Sequence, residues 1–314
     1  MSARATVYVP TLTGGEKLVR CLESLARQTA PVTVVVADNG EGEGSAPLLA
    51  ERFPAAIRVG FGRNLGFGNA LNRAIREAGD GPIVLLNDDA VAEPRLVESL
   101  LAAGSSAEMV AAALLSERDP TRIDSAGVLV DQTLMAFDYL RGEPVAKLDD
   151  APAPLGPTGG AALYDREAFD AVGGFDERIF LYYEDVDLAL RMRAAGARCA
   201  LAAGARAVHG YSLTLGAGSA RKHSMTGWSR GYLMRRYGIT ARPSLAAQAL
   251  AREAAICAGQ LLRSHTLAGA RGRLEGWRAA KGLPARELPP DAVRPLSLKR
   301  ALTLRNSGHG ATSI

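Results

Sequence analysis

Residues 83–89 read Ile-Val-Leu-Leu-Asn-Asp-Asp, a run of four aliphatic residues that ends in an amide and two acids. An apolar run without alternation is typical of a strand that is buried on both faces of a sheet. Three further strand-like runs precede it, at residues 5–9, 32–37 and 57–59. Apolar residues at helical spacing lie between or after these runs, at residues 16–28, 47–53, 67–78 and 94–103. This alternation predicts an α/β fold with a mostly parallel sheet and helices on both faces.

The pattern changes after residue 104. The sequence predicts strands at 109–115 and 198–203, with a hairpin or an irregular excursion at 123–139 and a polar loop at 141–157. Short helices are expected at 165–171 and 186–195. From residue 219 to about residue 282 the pattern is helical, and the final segment is rich in proline and polar residues.

Composition excludes several classes of protein. Of the 314 residues, 47% are hydrophobic, and the mean hydropathy is +0.02, which excludes a long disordered chain. The three cysteines are far apart and form no CxxC pair, which argues against a disulfide framework or a zinc ribbon. We find neither a signal peptide nor an apolar window long enough to span a membrane, and therefore expect a cytoplasmic protein.

Charge is distributed unevenly along the chain. Residues 219–314 hold 17 basic and 4 acidic residues, a formal charge of +13, whereas the first 218 residues carry −9. This split predicts two parts with different roles, and we place the first at 1–218, a basic helical extension at 219–285 and a flexible tail at 286–314. The extension could contact an anionic membrane face or an acidic substrate, or it could be a solvated surface. Because aromatic residues are sparse there, we do not expect a nucleic-acid partner.

Acidic residues follow two of the predicted strands. In an open α/β sheet, ligands bind outside the carboxyl ends of the strands, where Asp38 and the pair Asp88-Asp89 are expected. Asp38 could accept hydrogen bonds from a nucleobase or a ribose, or it could simply form a turn with Asn39 and Gly40. Carboxylates at Asp88 and Asp89 suit Mg²⁺ or Mn²⁺ on a diphosphate, although an exposed loop that caps the next helix would also explain them.

A third acidic group follows an aromatic run at residues 180–183. Asp185 is expected near a helix N-terminus, where it is either a helix cap or a general base that removes a proton from an attacking hydroxyl. The neighbouring aromatic rings suit sugar binding. His209, which follows the last predicted strand, is either structural or a further metal ligand.

One glycine-rich segment imitates a dinucleotide-binding fingerprint. Residues 60–66 read Gly-Phe-Gly-Arg-Asn-Leu-Gly between a strand and a helix. The segment follows the third strand instead of the first, and Arg63 and Asn64 occupy the turn. These features argue against a hydride-transferring enzyme.

Taken together, these motifs resemble the family 2 glycosyltransferases, which have the Rossmann-like GT-A fold and use nucleotide-sugars. The resemblance covers about residues 7–237 and is strongest to the rhamnosyltransferase-like branch. It rests on the order and spacing of eight short stretches, at residues 9–11, 34–40, 64–72, 85–89, 159–163, 173–177, 183–188 and 208–209. The sequence departs from the family pattern at residues 11–15, where an asparagine is frequent, and at Glu41, where a serine is usual.

The resemblance implies a role for each matching residue. Asp185 would be the catalytic base with Glu184 as its neighbour at the acceptor, and Asp89 and His209 would hold a divalent metal, Mg²⁺ or Mn²⁺. Gly159 and Gly160 would allow the backbone to approach donor and acceptor closely. The nucleotide-sugar site would comprise Pro10, Thr11, Asp38, Arg63, Asn64, Gly66, Asp88, Gly159 and Gly160.

The resemblance also implies an activity. It points to a metal-dependent, inverting transfer of a sugar from a nucleotide-diphospho-sugar, with dTDP-L-rhamnose as the best match, to a hydroxyl of a glycan or a lipid-linked acceptor. Such an enzyme of cell-surface polysaccharide synthesis would work in the cytoplasm, at the inner face of the membrane. Two alternatives are a non-catalytic binding relative and a sugar-phosphate nucleotidyltransferase, although residues 14–17 match the phosphate loop of the latter poorly. The oligomeric state is left open.

Overall fold

The computed structural model describes residues 5–210 and 219–296. A nine-stranded sheet with the order β3-β2-β1-β4-β10-β6-β11-β5 runs through the molecule, and β7 pairs with β6 beside this path. The strands are β1 (Ala5–Thr11), β2 (Val32–Asp38), β3 (Ile57–Gly60), β4 (Ile83–Leu86), β5 (Ala90–Ala92), β6 (Met109–Ser116), β7 (Ile123–Ser125), β8 (Val128–Asp131), β9 (Ala136–Asp138), β10 (Ala161–Tyr164), β11 (Cys199–His209) and β12 (Val293–Arg294).

The helices occupy both faces of this sheet, as the sequence predicts. They are α1 (Gly15–Leu25), α2 (Ala46–Arg52), α3 (Phe67–Glu77), α4 (Leu96–Gly104), α5 (Arg166–Ala171), α6 (Glu184–Ala194), α7 (Ala220–Arg236), α8 (Pro243–Ser264) and α9 (Ala268–Ala279). Alternate residues of β1 serve the two layers: Val7 and Val9 belong to the apolar cluster of α1 and α4, and Tyr8 belongs to that of α3 and α6.

The first four strands along the sheet are parallel, and the remainder is mixed. β10 runs antiparallel to both β4 and β6, and β5 runs antiparallel to β11. Only residues 87–89 separate β4 from β5, which is too short for a parallel crossover. After β4 the chain therefore turns at Asp88 and Asp89 and continues as β5, which forms the edge of the sheet opposite to β3.

Two predicted segments take a more definite form. The excursion at 123–139 forms β7 and the β8–β9 hairpin, which β12 extends to a second, three-stranded sheet. The predicted strand at 198–203 ends too early, because β11 continues to His209 after a register shift between Leu201 and Arg206. His209 therefore closes the strand, where the sequence indicated a position after it.

The C-terminal helices pack on the sheet layer. Tyr232, Leu233 and Tyr237 of this region lie in the same apolar cluster as α3 and α6. The division between 1–218 and 219–285 stays a prediction. The flexible tail from residue 286 also stays a prediction; within residues 286–296, Arg286 pairs with Asp176 and Asp187, and β12 pairs with β8. Residues 297–314 lie outside the described part.

None of the helices in residues 5–210 and 219–296 is both long enough and apolar enough to cross a bilayer.

Candidate active site

A cavity of about 670 Å³ lies at the carboxyl ends of β1 and β4. Because these strands are parallel neighbours, the polar residues that follow them meet at one edge of the sheet. Nine of the thirteen residues expected at the site line this cavity: Pro10, Thr11, Asn64, Gly66, Asp88, Asp89, Gly160, Asp185 and His209.

At the donor end, Asp88 is tied to the end of β1. Thr11 Oγ1 donates a 2.6 Å hydrogen bond to Asp88 Oδ2 and accepts one from Gly14 N at 3.0 Å. Burial raises the pKa of Asp88 to about 6, and the negative charge of Asp89 contributes to this rise. The hydrogen bond from Thr11 acts in the opposite direction and lowers the pKa. Thr11 therefore positions a carboxyl group on the cavity wall.

The adjacent Asp89 faces His209. Strand β5 pairs with β11 so that Ala90 lies opposite His209, and this register brings Asp89 Oδ1 to 3.2 Å from His209 Nε2. On its other side the ring bonds Asp124, with 2.9 Å between His209 Nδ1 and Asp124 Oδ2. Burial lowers the pKa of His209, but the carboxylates of Asp124 and Asp89 outweigh it and raise this pKa to about 9.

Asp124 is a site residue that the sequence reasoning missed. It lies in β7, within a segment whose weak alternation predicted only a hairpin or an excursion. An acid between Ile123 and Ser125 in a short strand is the one signal that could have drawn attention to it.

The residues around Asp89 fit a divalent metal. Asn87 Oδ1 is a buried oxygen that accepts no hydrogen bond among the described residues, and the buried Asp89 Oδ1 faces His209 Nε2 at 3.2 Å. Ligating histidines commonly bind through one nitrogen while a carboxylate holds the other, which is the relation of His209 to Asp124. No cluster of three or more His, Cys, Asp or Glu that could hold a metal by itself exists in the described chain. The two ligands Asp89 and His209 would thus leave positions for phosphate oxygens.

Asp185, which also lines the cavity, lies in the first turn of α6. Its Oδ2 accepts a 3.1 Å hydrogen bond from Gly159 N, and its Oδ1 accepts one from Val186 N at 2.8 Å. Burial raises the pKa of Asp185 against these two hydrogen bonds. Each oxygen accepts a single bond and has a second lone pair, so the carboxylate can still accept a proton from a ligand.

The backbone before Asp185 is strained. Tyr182 and Tyr183 both have φ of 70°, in the left-handed region that side chains of L-residues disfavour. Both residues line the cavity. Strain of this kind is concentrated at functional sites, where the surrounding structure holds it in place.

Glu184 precedes Asp185 in the chain, but it is not one of the residues that line the cavity. It is 6% exposed, and its Oε2 has no hydrogen-bond partner in the described residues. Burial raises the pKa of Glu184 to about 8, and repulsion from Asp185 adds to the rise. A protonated Glu184 at neutral pH removes one negative charge from beside Asp185.

Asn39 shapes a third part of the wall, a role that the sequence reasoning did not assign. Its Nδ2 donates to Asn64 Oδ1 and to Gly66 O, each at 3.0 Å, and its Oδ1 accepts from Leu65 N at 2.7 Å. Gly66 has φ of 88°, and a Cβ there would lie 2.4 Å from Phe180 O. The loop at residues 64–66 is therefore fixed in place by one amide side chain.

Asp38 does not line the cavity. It is 2% exposed, and its Oδ2 accepts from Ser45 N at 2.7 Å, Ser45 Oγ at 2.8 Å and Arg58 Nε at 2.8 Å. Its Oδ1 accepts from Gly40 N at 3.1 Å. The carboxylate therefore organises the turn after β2, which is the alternative that the sequence left open.

Arg63 is exposed and is not part of the cavity wall. A Cβ on Gly159 would lie 3.0 Å from Phe67 Cε1, and one on Gly160 would lie 2.7 Å from Leu114 Cδ1. Contacts within the protein thus already favour glycine at both positions, and their closeness to the donor and the acceptor stays a prediction.

Comparisons with known proteins agree with this geometry. Residues 3–231 match the family described as Glycosyltransferase like family 2. The N-acetylglucosaminyl-diphospho-decaprenol L-rhamnosyltransferase of Mycobacterium tuberculosis is 32% identical over 221 residues, which is 60% of this chain and 70% of that protein.

Two solved structures have a similar fold. The mannosyltransferase PcManGT of Pyrobaculum calidifontis in complex with GDP-Man and Mn²⁺ matches with a TM-score of 0.52 and 18% identity, over 89% of this chain and 86% of that one. GalNAc-T7 with UDP, GalNAc and Mn²⁺ matches with a TM-score of 0.56 and 14% identity, over 78% and 51% of the two chains. The fold is thus that of the GT-A glycosyltransferases. By its sequence match and its fold, the chain belongs to glycosyltransferase family 2, and it is similar to the rhamnosyltransferases of that family.

Proposed function

We propose that this protein is an inverting glycosyltransferase of cell-surface polysaccharide synthesis. It moves a sugar from a nucleotide-diphospho-sugar, dTDP-L-rhamnose, to a hydroxyl of a lipid-linked or glycan acceptor. One observation carries the proposal: the carboxylates of Asp88 and Asp89 line the same cavity as the buried carboxylate of Asp185. The first pair suits a diphosphate with its cation, and the third suits a proton acceptor.

In the reaction, the acceptor oxygen forms a bond to the anomeric carbon, and the bond from that carbon to the diphosphate oxygen breaks with its electron pair on the diphosphate. Asp185 takes the proton of the attacking hydroxyl. Of the adjacent pair Glu184 and Asp185, only Asp185 lines the cavity. The reaction is a single displacement, which inverts the anomeric configuration, as the resemblance to the family implies.

The protein contributes alignment and fixed charge. Thr11 and Asp88 contact the ribose, and the loop that Asn39 holds at residues 64–66 encloses the nucleotide together with Pro10. Asp89 and His209 would hold Mg²⁺ or Mn²⁺, and such an ion would supply positive charge to stabilise the leaving diphosphate. Both PcManGT and GalNAc-T7 were solved with Mn²⁺, which supports a divalent metal here.

The donor and the acceptor are inferred from relatives. The M. tuberculosis relative is named for the transfer of L-rhamnose and for a diphospho-decaprenol acceptor, which supports both substrates. A lipid-linked acceptor resides in a membrane, so we place the enzyme in the cytoplasm at the inner membrane face. The cavity wall also includes the apolar side chains of Val128 and Phe137, which suit an acceptor carrying a lipid, whereas Arg141 on the same wall pairs with Asp124 and Asp138.

A substrate screen tests this proposal. The purified protein is incubated with Mn²⁺ and a panel of nucleotide-sugars, with and without a short-chain lipid-diphosphate N-acetylglucosamine acceptor, and release of nucleoside diphosphate is measured. We expect release that depends on the acceptor and is fastest with dTDP-L-rhamnose, and NMR of the product should show inversion. Absence of release with every donor, or retention of configuration, would contradict the proposal.

A further inference from the structure

Helix α8 presents mainly apolar side chains to the solvent. Its exposed positions between residues 247 and 262 are apolar except for Gln248, and they fall on one side of the helix at a repeat of 100° per residue. We call this surface the α8 stripe, and it consists of Ala247, Leu250, Ala251, Ala254, Ala255, Ala258, Leu261 and Leu262. A helix on the surface of a soluble protein ordinarily presents the opposite arrangement.

The buried side of the same helix carries three polar side chains beside the apolar Ala249 and Ile256. Arg252 is 2% exposed and pairs with Asp131, and Glu253 is 5% exposed and pairs with Arg230 and Arg273. Gln260 Nε2 lies 3.0 Å from His223 Nδ1 on α7. These interactions fix the rotation of α8, so the leucines cannot turn inward without breaking buried ion pairs.

The exposed leucines are large and clustered. Leu250 is 64% exposed and Leu262 is 76% exposed, and Leu267, Leu274 and Trp277 are exposed further along the chain, the last with Arg235 against its ring. Of the nine large hydrophobic residues that are exposed in the described chain, six lie between residues 250 and 277. An exposed apolar patch of this kind marks an interaction surface.

The charges around the patch indicate what it meets. Exposed arginines flank the stripe at both of its ends and along α9, at positions 242, 263, 271 and 278, whereas Glu275 is the one exposed acid of α8 and α9. Apolar side chains bordered by basic residues match the interface of an anionic bilayer, where leucines enter the acyl boundary and arginines meet lipid phosphates.

The patch also lies beside the cavity. Ser224 of α7 lines a shallow depression of about 470 Å³ together with Leu261 and Leu267, and the next two residues, Met225 and Thr226, line the active-site cavity. Contact of the patch with a bilayer would therefore hold the cavity close to the membrane surface.

We infer that the α8 stripe, together with Leu267, Leu274 and Trp277, is a docking surface for an anionic lipid bilayer, on which the protein lies without crossing it. The inference deepens the proposed function, because it explains how a lipid-linked acceptor reaches the cavity, but its test does not depend on catalysis.

The experiment measures flotation of the full chain with vesicles. One set is pure phosphatidylcholine, and the other contains equal parts of phosphatidylcholine and phosphatidylglycerol. We expect binding to the anionic vesicles that weakens with added salt and is lower on the neutral ones. The triple variant Leu250→Gln, Leu261→Gln, Leu262→Gln should lower the partition coefficient on anionic vesicles at least about tenfold. The variant Ile57→Gln, a 42% exposed apolar residue on β3, should leave it unchanged.

Two results would overturn the inference. Equal flotation of the triple variant and the wild type would exclude the stripe, and failure of the wild type to bind anionic vesicles would mean that something else covers it. Light scattering of both proteins in solution tests the main alternative: a wild-type dimer that the triple variant dissociates would assign the stripe to a second copy of the chain. Circular dichroism of the variant confirms that it is folded.

Discussion

His209 Nδ1 lies 2.9 Å from Asp124 Oδ2, and this contact orients the opposite ring nitrogen toward Asp89. The imidazole is thus held by a carboxylate from β7 at the position where β11 and β5 end their pairing. Such a partner fixes the orientation of a metal-binding histidine and raises its basicity.

We therefore expect Asp124→Asn to weaken Mn²⁺ binding about 10–100-fold, the range typical of such outer partners. The measurement is calorimetric titration of Mn²⁺ in the presence of a nucleoside diphosphate. Asp170→Asn, an exposed carboxylate on α5, is the control and should bind Mn²⁺ as the wild type does. Unchanged affinity in folded Asp124→Asn would contradict the role of Asp124.

The raised pKa of Glu184 makes the free energy of unfolding depend on pH. Burial raises its pKa in the folded state to about 8, above the value of about 4.3 for an unfolded glutamate, so the folded state binds the proton more tightly. The stabilising contribution is complete below about pH 4.3 and is lost as the pH rises toward about 8. We expect Glu184→Gln to reduce this loss, which urea unfolding at a series of pH values would measure. An identical pH dependence in the variant and the wild type would contradict the assignment.

The ion pairs of Arg286 link the C-terminal segment to helix α6, and we expect them to stabilise the fold. Arg286 pairs with Asp187, which is fully buried and lies two residues after Asp185, and with Asp176. Without Arg286, Asp187 keeps its ion pair with Arg191 but loses one charged hydrogen bond in a buried setting, so Arg286→Met should lower the free energy of unfolding by about 1.5–3 kcal/mol. Arg193→Met is the matched control: its partner Asp291 is 69% exposed, and a loss of about 0–1 kcal/mol is expected. Equal losses in urea unfolding would show that the Arg286 pairs are not important for stability.

Alanine at Gly66 and alanine at Gly62 can be compared to separate the effect of a steric collision from that of backbone strain. Both glycines have positive φ, 88° and 67°, but a Cβ would collide with Phe180 O only at Gly66 and would meet nothing within 4 Å at Gly62. We expect Gly62→Ala to cost about 1–2 kcal/mol of stability, from backbone strain alone. Gly66→Ala should cost about 1–3 kcal/mol more and should weaken nucleotide binding, because the loop at the cavity must move. Thermal unfolding with and without nucleoside diphosphate measures both effects, and similar values for the two variants would contradict the argument.

The parallel half of the fold could be predicted from the sequence because its signals are local. Continuous apolar runs mark β1, β2 and β4, and the helices between them have clear periodicity. The end of β11 could not be predicted, since Gly204 and Arg206 interrupt the apolar pattern at the register shift while the strand continues. Pairing with β6 on one side and with β5 on the other holds that segment extended.

Part of the candidate site could also be predicted from the sequence. Asp88, Asp89 and Asp185 stand directly after apolar or aromatic runs, and their positions in the chain suffice to bring them together. The orientation of Asp38 was not predictable, because it depends on Arg58 of a different strand and on Ser45. Asp124 and Arg286 act across sequence separations of about 85 to 110 residues, which no local pattern encodes.

The most direct test of the account is the single-turnover rate of sugar transfer by Asp185→Asn, measured beside its affinity for the donor. The amide keeps the size of the side chain but cannot take the proton of the acceptor hydroxyl, so we expect the rate to fall about 10²–10⁴-fold. Donor affinity should remain that of the wild type, and Asp170→Asn should retain full activity. A rate for Asp185→Asn close to that of the wild type would contradict the assignment of Asp185 as the base.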